Sequence, residues 1–172
     1  MNEKVRQALQ AYAANVIDDA RYHMGADKIN ATGTLAKSLR YWVNETRTGY
    51  TITFGANPPA DRYARWAEEG RGPGRWPPRE AIARWIMAKP GFKLRDRRGR
   101  FQQKTLRNAM SAAYPIARAI GRRGTKPKDD GRRGARMFEK AAQDNRSELA
   151  EIQDAFAAQV RSIIRSPKPY RR

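Results

Sequence analysis

The stretch Arg40-Tyr41-Trp42-Val43-Asn44-Glu45-Thr46-Arg47-Thr48-Gly49-Tyr50-Thr51-Ile52-Thr53-Phe54 decides the fold class of this chain. Aromatic and β-branched side chains crowd both of its ends, and such side chains favour a pleated, half-buried surface. Thr48-Gly49 supplies turn chemistry between them, so residues 40–55 read as an antiparallel hairpin. Asn57-Pro58-Pro59 stops the second strand, because proline cannot donate to a ladder. The strongest periodic segments outside this hairpin are helical. The expected class is therefore α+β: a small antiparallel sheet packed by long N-terminal and C-terminal helices, with extended basic loops.

Upstream, Val5, Leu9, Tyr12, Ala13, Val16, Ile17 and Ala20 fall at three-four spacing, which gathers them on one stripe of a helix from Asn2 to about Met24. Gly25 offers its C-terminal cap, and Thr32 or Thr34 can cap a short turn ending at Leu39. Downstream, Tyr63, Trp66 and Ala67 share one face of a short helix that Asp61 caps and Gly70 ends. Pro77-Pro78 restarts a helix carrying Ile82, Trp85 and Ile86, terminated by Lys89-Pro90-Gly91. Residues 92–101 read as a second, very basic hairpin tipped by Asp96 to Gly99. A helix from about Thr105 to Ile120 follows, with Leu106, Met110, Ala113, Ile116 and Ile120 inward, Pro115 bending it and Gly121 and Gly124 closing it. The last helix, from about Ser147 to Arg165, aligns Leu149, Ile152, Phe156, Val160, Ile163 and Ile164. The expected organisation is one domain over residues 1–166, with a basic arm or linker at 121–136 inside it and a basic tail at 167–172.

Charge is the strongest functional signal: 36 Lys plus Arg against 17 Asp plus Glu give +19 over 172 residues. The excess collects in glycine-punctuated clusters at Arg97-Arg98-Gly99-Arg100, Gly121-Arg122-Arg123-Gly124 and Gly131-Arg132-Arg133-Gly134, which read as loops. Such a chain repels its own copies and calls for a polyanion or acidic partner subunits. With no Cys and one His, disulfides and thiolate metal sites are excluded and the common transition-metal sets lose their ligands, so no metal or cofactor is expected. Charged residues interrupt every apolar stretch and no signal-peptide segment opens the chain, so no membrane contact is expected and folding belongs to the cytoplasm.

The order and spacing of several segments carry a resemblance. They are the first helix, Ala31-Thr32-Gly33-Thr34-Leu35-Ala36-Lys37-Ser38-Leu39, Tyr63-Ala64-Arg65-Trp66-Ala67-Glu68-Glu69-Gly70-Arg71-Gly72-Pro73-Gly74, and Pro77-Pro78-Arg79-Glu80-Ala81-Ile82-Ala83-Arg84-Trp85-Ile86. Ile116-Ala117-Arg118-Ala119-Ile120 leading to Gly124-Thr125-Lys126-Pro127 and Phe138-Glu139-Lys140-Ala141 complete the series. In that order they resemble the tail-completion, or head-to-tail joining (neck), proteins of long-tailed bacteriophages. The arginine-rich insert between Gly121 and Gly134 lengthens what is commonly a compact loop there. The resemblance implies a non-catalytic virion subunit, made in the host cytoplasm, that forms a ring, hexameric by expectation, in the neck or at the upper end of the tail. Its implied neighbours are other neck proteins, the tail terminator or the tail tube, with sequence-independent contact to double-stranded DNA in the channel.

Arg97, Arg98, Arg122, Arg123, Arg132 and Arg133 are the candidates for contact with DNA or an acidic partner, and Trp66, Glu69 and Trp76 for contact between subunits. Glu68 and Glu69 are adjacent on a helix and point apart, with no His or Cys nearby, which argues for an interfacial ion pair rather than acid-base chemistry. Trp42, Trp66, Trp76 and Trp85 suit core or interface packing better than base stacking, with loop-borne Trp76 the one expected as an exposed anchor. Gly121-Arg122-Arg123-Gly124 matches a four-residue RNA-gripping loop without the sheet that loop requires. Gly70, Gly72 and Gly74 lack the spacing of a nucleotide-binding fingerprint. His23 suits a helix C-terminus. The competing functional readings are a sequence-independent nucleic-acid-binding protein and, third, an enzyme, for which no catalytic set is visible.

Overall fold

Seven amphipathic or small-residue stripes become helices, and two hairpins separate them among the described residues. A computed structural model describes residues 3–27, 32–47, 49–96, 98–125 and 134–165, the side chains of 159 and 162–165 apart. The elements are α1 (Glu3–Ala26), α2 (Thr34–Ser38), β1 (Leu39–Thr46), β2 (Gly49–Ala56), α3 (Asp61–Glu69) and α4 (Arg79–Ala88). Then come β3 (Leu94–Arg95), β4 (Phe101–Gln102), α5 (Leu106–Arg123), α6 (Met137–Asp144) and α7 (Arg146–Arg165). The class is α+β, with β1 paired to β2 and β3 to β4 in two separate antiparallel sheets. Among the described residues no helix is long and apolar enough to cross a membrane.

Contacts divide the chain into two units, each assembled from separated stretches. The first comprises Met1–His23, Arg40–Phe54 and Met137–Arg172. Within it the stripe of α1 is buried as its spacing demands: Val5, Leu9, Tyr12, Ala13, Val16, Ile17 and Ala20 are all inside. Gly25 is still helical rather than a cap. One turn apart along α1, Asn15, Asp19 and His23 meet α6, α7 and the residue between them. Asn15 Nδ2 donates to Glu148 Oε2 at 3.0 Å and Asn145 Nδ2 donates to Asp19 Oδ2 at 2.6 Å. His23 stands in the last turn of α1, as expected, and its Nε2 also lies 2.7 Å from Asp144 Oδ2. On α7 the expected stripe is only half-buried at Leu149, Ile152 and Phe156, and Val160 is exposed. Ile163 and Ile164 lie outside the described side chains.

The second unit, Met24–Leu39 and Gly55–Arg136, is centred on α4 and α5. Ala83, Ile86, Leu94, Ala109 and Ala113 form its core, flanked by Trp85, Phe92, Met110 and Ile116. α2 takes Gly33 as its cap, in the left-handed region at φ 76°, rather than a threonine side chain. α3 begins without a side-chain cap and ends at Gly70, whose N–H donates to the Trp66 carbonyl.

Candidate functional site

Two faces of opposite chemistry run along α5, and both follow from its sequence. Ala109, Ala113, Ala117 and Gly121 recur every fourth residue and are buried. This small-residue stripe lets α4 approach closely; of the expected inward row, Ala113 is buried and Met110 and Ile116 pack against the core, while Leu106, at the first helical residue, is exposed. At Gly121 the Trp76 indole occupies the space a Cβ would fill, and Gly74 N–H donates to the Gly121 carbonyl at 2.8 Å. Gly121 therefore continues the helix instead of closing it, and Gly124, at φ 74°, ends it. The outward face carries Ser111, Tyr114, Pro115, Arg118 and Arg122 at the same three-four spacing. Thr105 caps the N-terminus, accepting from the Asn108 N–H at 3.3 Å. Arg122 and Arg123 occupy the last turn, where cations complement the helix dipole.

The basic hairpin beside α5 is organised by one acid. Asp96 Oδ1 accepts from the backbone N–H groups of Arg98 and Arg100 at 2.8 and 2.9 Å, and Oδ2 accepts from Arg100 Nε at 2.9 Å. Gly99, at φ 80°, closes the turn, and the Arg95 guanidinium donates to its carbonyl at 2.8 Å. The Arg100 N–H foremost, with the Arg100 side chain and the Arg98 N–H adding and partial burial opposing, holds the Asp96 carboxyl below its ordinary value. Cations also cover the rings here: Arg95 lies 4.0 Å and Lys93 5.5 Å from the Phe101 centroid, and Arg79 lies 5.5 Å from that of Tyr114.

Between the hairpin and α5 runs a groove of about 620 Å³, lined by Arg95, Arg98, Arg100, Asn108, Ser111 and Tyr114. A second hollow of about 240 Å³ shares Tyr114 and Pro115 with it and adds Arg118, Arg122 and Arg123. Together they form a continuous positive track along the outward face of α5. Its lining carboxylate, Asp96, is consumed by the turn. Among the described residues no group of three or more His, Asp or Glu is placed to hold a metal ion. In the first unit, an apolar groove of about 400 Å³ lined by Leu9, Tyr12, Tyr50, Phe54, Ile152 and Phe156 offers little chemistry. Burial, with the charge of Glu148 adding, pushes the Tyr12 phenol there above its usual range.

Of the expected contact arginines, Arg98, Arg122 and Arg123 belong to this track, although Arg122 and Arg123 stand on a helix and not in a loop. Arg97, Arg132 and Arg133 lie outside the described residues. The described ends of the arm are tied down: Thr125 N–H donates to the Arg71 carbonyl at 2.8 Å, Ala135 N–H to that of Ala67 at 2.7 Å and Arg136 N–H to that of Glu68 at 3.0 Å. Trp66 is 57% exposed on α3, while Glu69 accepts from Arg65 Nε at 2.9 Å within the same helix. Trp76 is 45% exposed but half-seated, edge-on to Tyr114 at 6.0 Å as well as against Gly121, so it is not a free loop anchor. Sequence reasoning missed Arg95, Arg100, Arg118 and Tyr114 as parts of the track, and the outward three-four spacing of Ser111, Tyr114, Arg118 and Arg122 was the signal available. No family model, curated protein or solved structure matches the chain.

Proposed function

We propose that this chain is a structural virion subunit of the phage neck or upper tail end, one of a ring that joins head and tail around the DNA channel and makes or breaks no covalent bond. The observation that carries the reading is the pairing of exposed large apolar side chains with unbalanced positive charge. Tyr63 and Trp66 on α3, with Met87, Phe101 and Leu106, are exposed on a chain of net charge +19. Aromatic anchors of this kind are enriched where subunits meet, and a cationic surface is tolerable in a ring only if DNA or acidic neighbours neutralise it. Trp66, Glu69 and Trp76 are the proposed subunit contacts. The neighbours are the tail tube, the tail terminator or other neck proteins, and the destination is the virion after assembly in the host cytoplasm. Light scattering and negative-stain imaging of the purified chain with a tail tube or portal partner test this. Closed rings or joined particles are expected; monomers that join neither contradict it.

The continuous positive track favours a second reading, a sequence-independent nucleic-acid-binding protein. It expects DNA affinity from the isolated chain that collapses between low and moderate salt.

A further inference from the structure

The positive track joins cations from the hairpin with cations from α5. Arg98 and Arg100 stand at the hairpin end, and Arg118, Arg122 and Arg123 continue along the helix. From Ser111 to Arg122 the axis of α5 advances about 16 Å at 1.5 Å per residue. At about 3.4 Å of duplex axis per phosphate on one strand, that length passes several successive phosphates. Neutral groups line the same path: the Ser111 hydroxyl, and Asn108, whose Nδ2 already donates to the Gln103 carbonyl at 2.9 Å. No hydrogen bond or ion pair engages the guanidinium groups of Arg98, Arg118, Arg122 or Arg123 among the described residues.

The aromatic rings along the track argue against single strands. A base stacks on an open ring face, as single-strand platforms provide. Here the chain's own cations occupy ring faces, Arg95 and Lys93 at Phe101 and Arg79 at Tyr114, while Tyr114 and Trp76 already meet edge to face. What the track presents is fixed positive charge and short polar donors, a surface for a phosphate backbone whose bases are stacked elsewhere. Acidic protein surface would satisfy charge alone. A line of cations along one helix face, with the Ser111 hydroxyl beside them, matches the regular spacing of phosphates better.

We infer that the groove between the β3–β4 hairpin and α5, extended along α5 to Arg122 and Arg123, is a track for the phosphodiester backbone of double-stranded nucleic acid, bound without base reading. This rests on the polyanion part of the proposed function and not on ring formation. The test is fluorescence anisotropy with the full chain, a labelled DNA duplex of arbitrary sequence and its single strand, across a salt series. The doubly substituted Arg118→Glu/Arg122→Glu protein is expected to bind the duplex about tenfold or more weakly at low salt, with a log-log salt slope shallower by about 2. The same charge change at Arg62 and Arg161, both exposed and off the track, is expected to have a distinctly smaller effect on affinity and slope.

Circular dichroism checks that each variant folds, and Arg118→Gln/Arg122→Gln gives the milder form if the Glu pair does not. Equal loss from both pairs would overturn the inference. So would unchanged duplex binding in the Arg118 and Arg122 variants, equal or tighter binding of the single strand, or competition by polyglutamate as effective as by duplex at matched charge. Ring assembly is scored separately by light scattering. Loss of rings with retained duplex binding strikes only the neck reading, and intact rings without duplex binding strike only the track.

Discussion

In β1–β2 each strand runs eight residues, whereas in β3–β4 each runs two. The long hairpin is held by apolar packing within its unit: Phe54 stacks on Phe138 with centroids 5.7 Å apart, and Tyr50 meets Phe156 edge-on at 6.5 Å. The short one leaves Phe101 exposed and depends on Asp96, whose carboxylate gathers Arg98 and Arg100. The difference is one of purpose as well as material. The long hairpin stabilises its unit through apolar packing of several rings, while the short one commits Leu94 to its unit's core and uses a single carboxylate to hold cations in fixed places at its tip. One acid neutralises only part of the charge it organises, so the tip stays positive.

The largest expected effect breaks the first hairpin. Phe54→Ala removes a half-buried ring and its stacking partner's contact, and chemical denaturation should show a loss of about 2–4 kcal/mol. Phe101→Ala, by contrast, should cost under about 1 kcal/mol, since only an exposed ring and its cation contacts are lost. Next, Asp96→Ala should release the second hairpin's tip. Amide exchange at Arg98 and Arg100 should accelerate while amides of β1 and β2 keep their rates, and duplex binding should weaken because the arginines are no longer held.

Acid should reproduce that release reversibly. The folded Asp96 pKa lies below the ordinary value for an aspartate, so its contribution is fully present above that ordinary value and lost as pH falls through the lowered one. A pH titration followed by the amide resonances of Arg98 and Arg100 should show their hydrogen bonds persisting to lower pH than an ordinary carboxylate would allow. A similarly small effect should come from Gly99→Ala. There is open space around a Cβ at that position, so the cost is conformational, about 1 kcal/mol for a side chain at φ 80°, confined to the tip.

Periodicity made much of this fold legible. Every inward residue read on α1 is buried, and both hairpins occur where turn chemistry placed them. What escaped depended on contacts that no local pattern encodes. Gly121 reads as a helix stop, yet the Trp76 ring packs where its Cβ would be and the helix runs on, carrying Arg122 and Arg123 out of the expected loop. Leu106 reads as core, but the core side of α5 is the alanine stripe selected by the close approach of α4. α6 was not anticipated, because two turns with Met137 and Ala141 buried are too short for a periodic signal. For the site, the charge was legible in composition, and its arrangement only in the outward spacing of Ser111, Tyr114, Arg118 and Arg122: arginine clusters suggest loops, whereas a helix face and a carboxylate-pinned turn align them.

The second hairpin and the outward face of α5 are proposed as one contact surface, and no residue of the first hairpin lines its groove. Arginine-selective chemical modification of the full chain, with and without duplex DNA and read by mass spectrometry, addresses this directly. The account predicts strong protection at Arg98, Arg118 and Arg122 and continued reactivity at Arg47 in the β1–β2 turn. Uniform protection of all four, or protection of Arg47 with the other three left reactive, would contradict it.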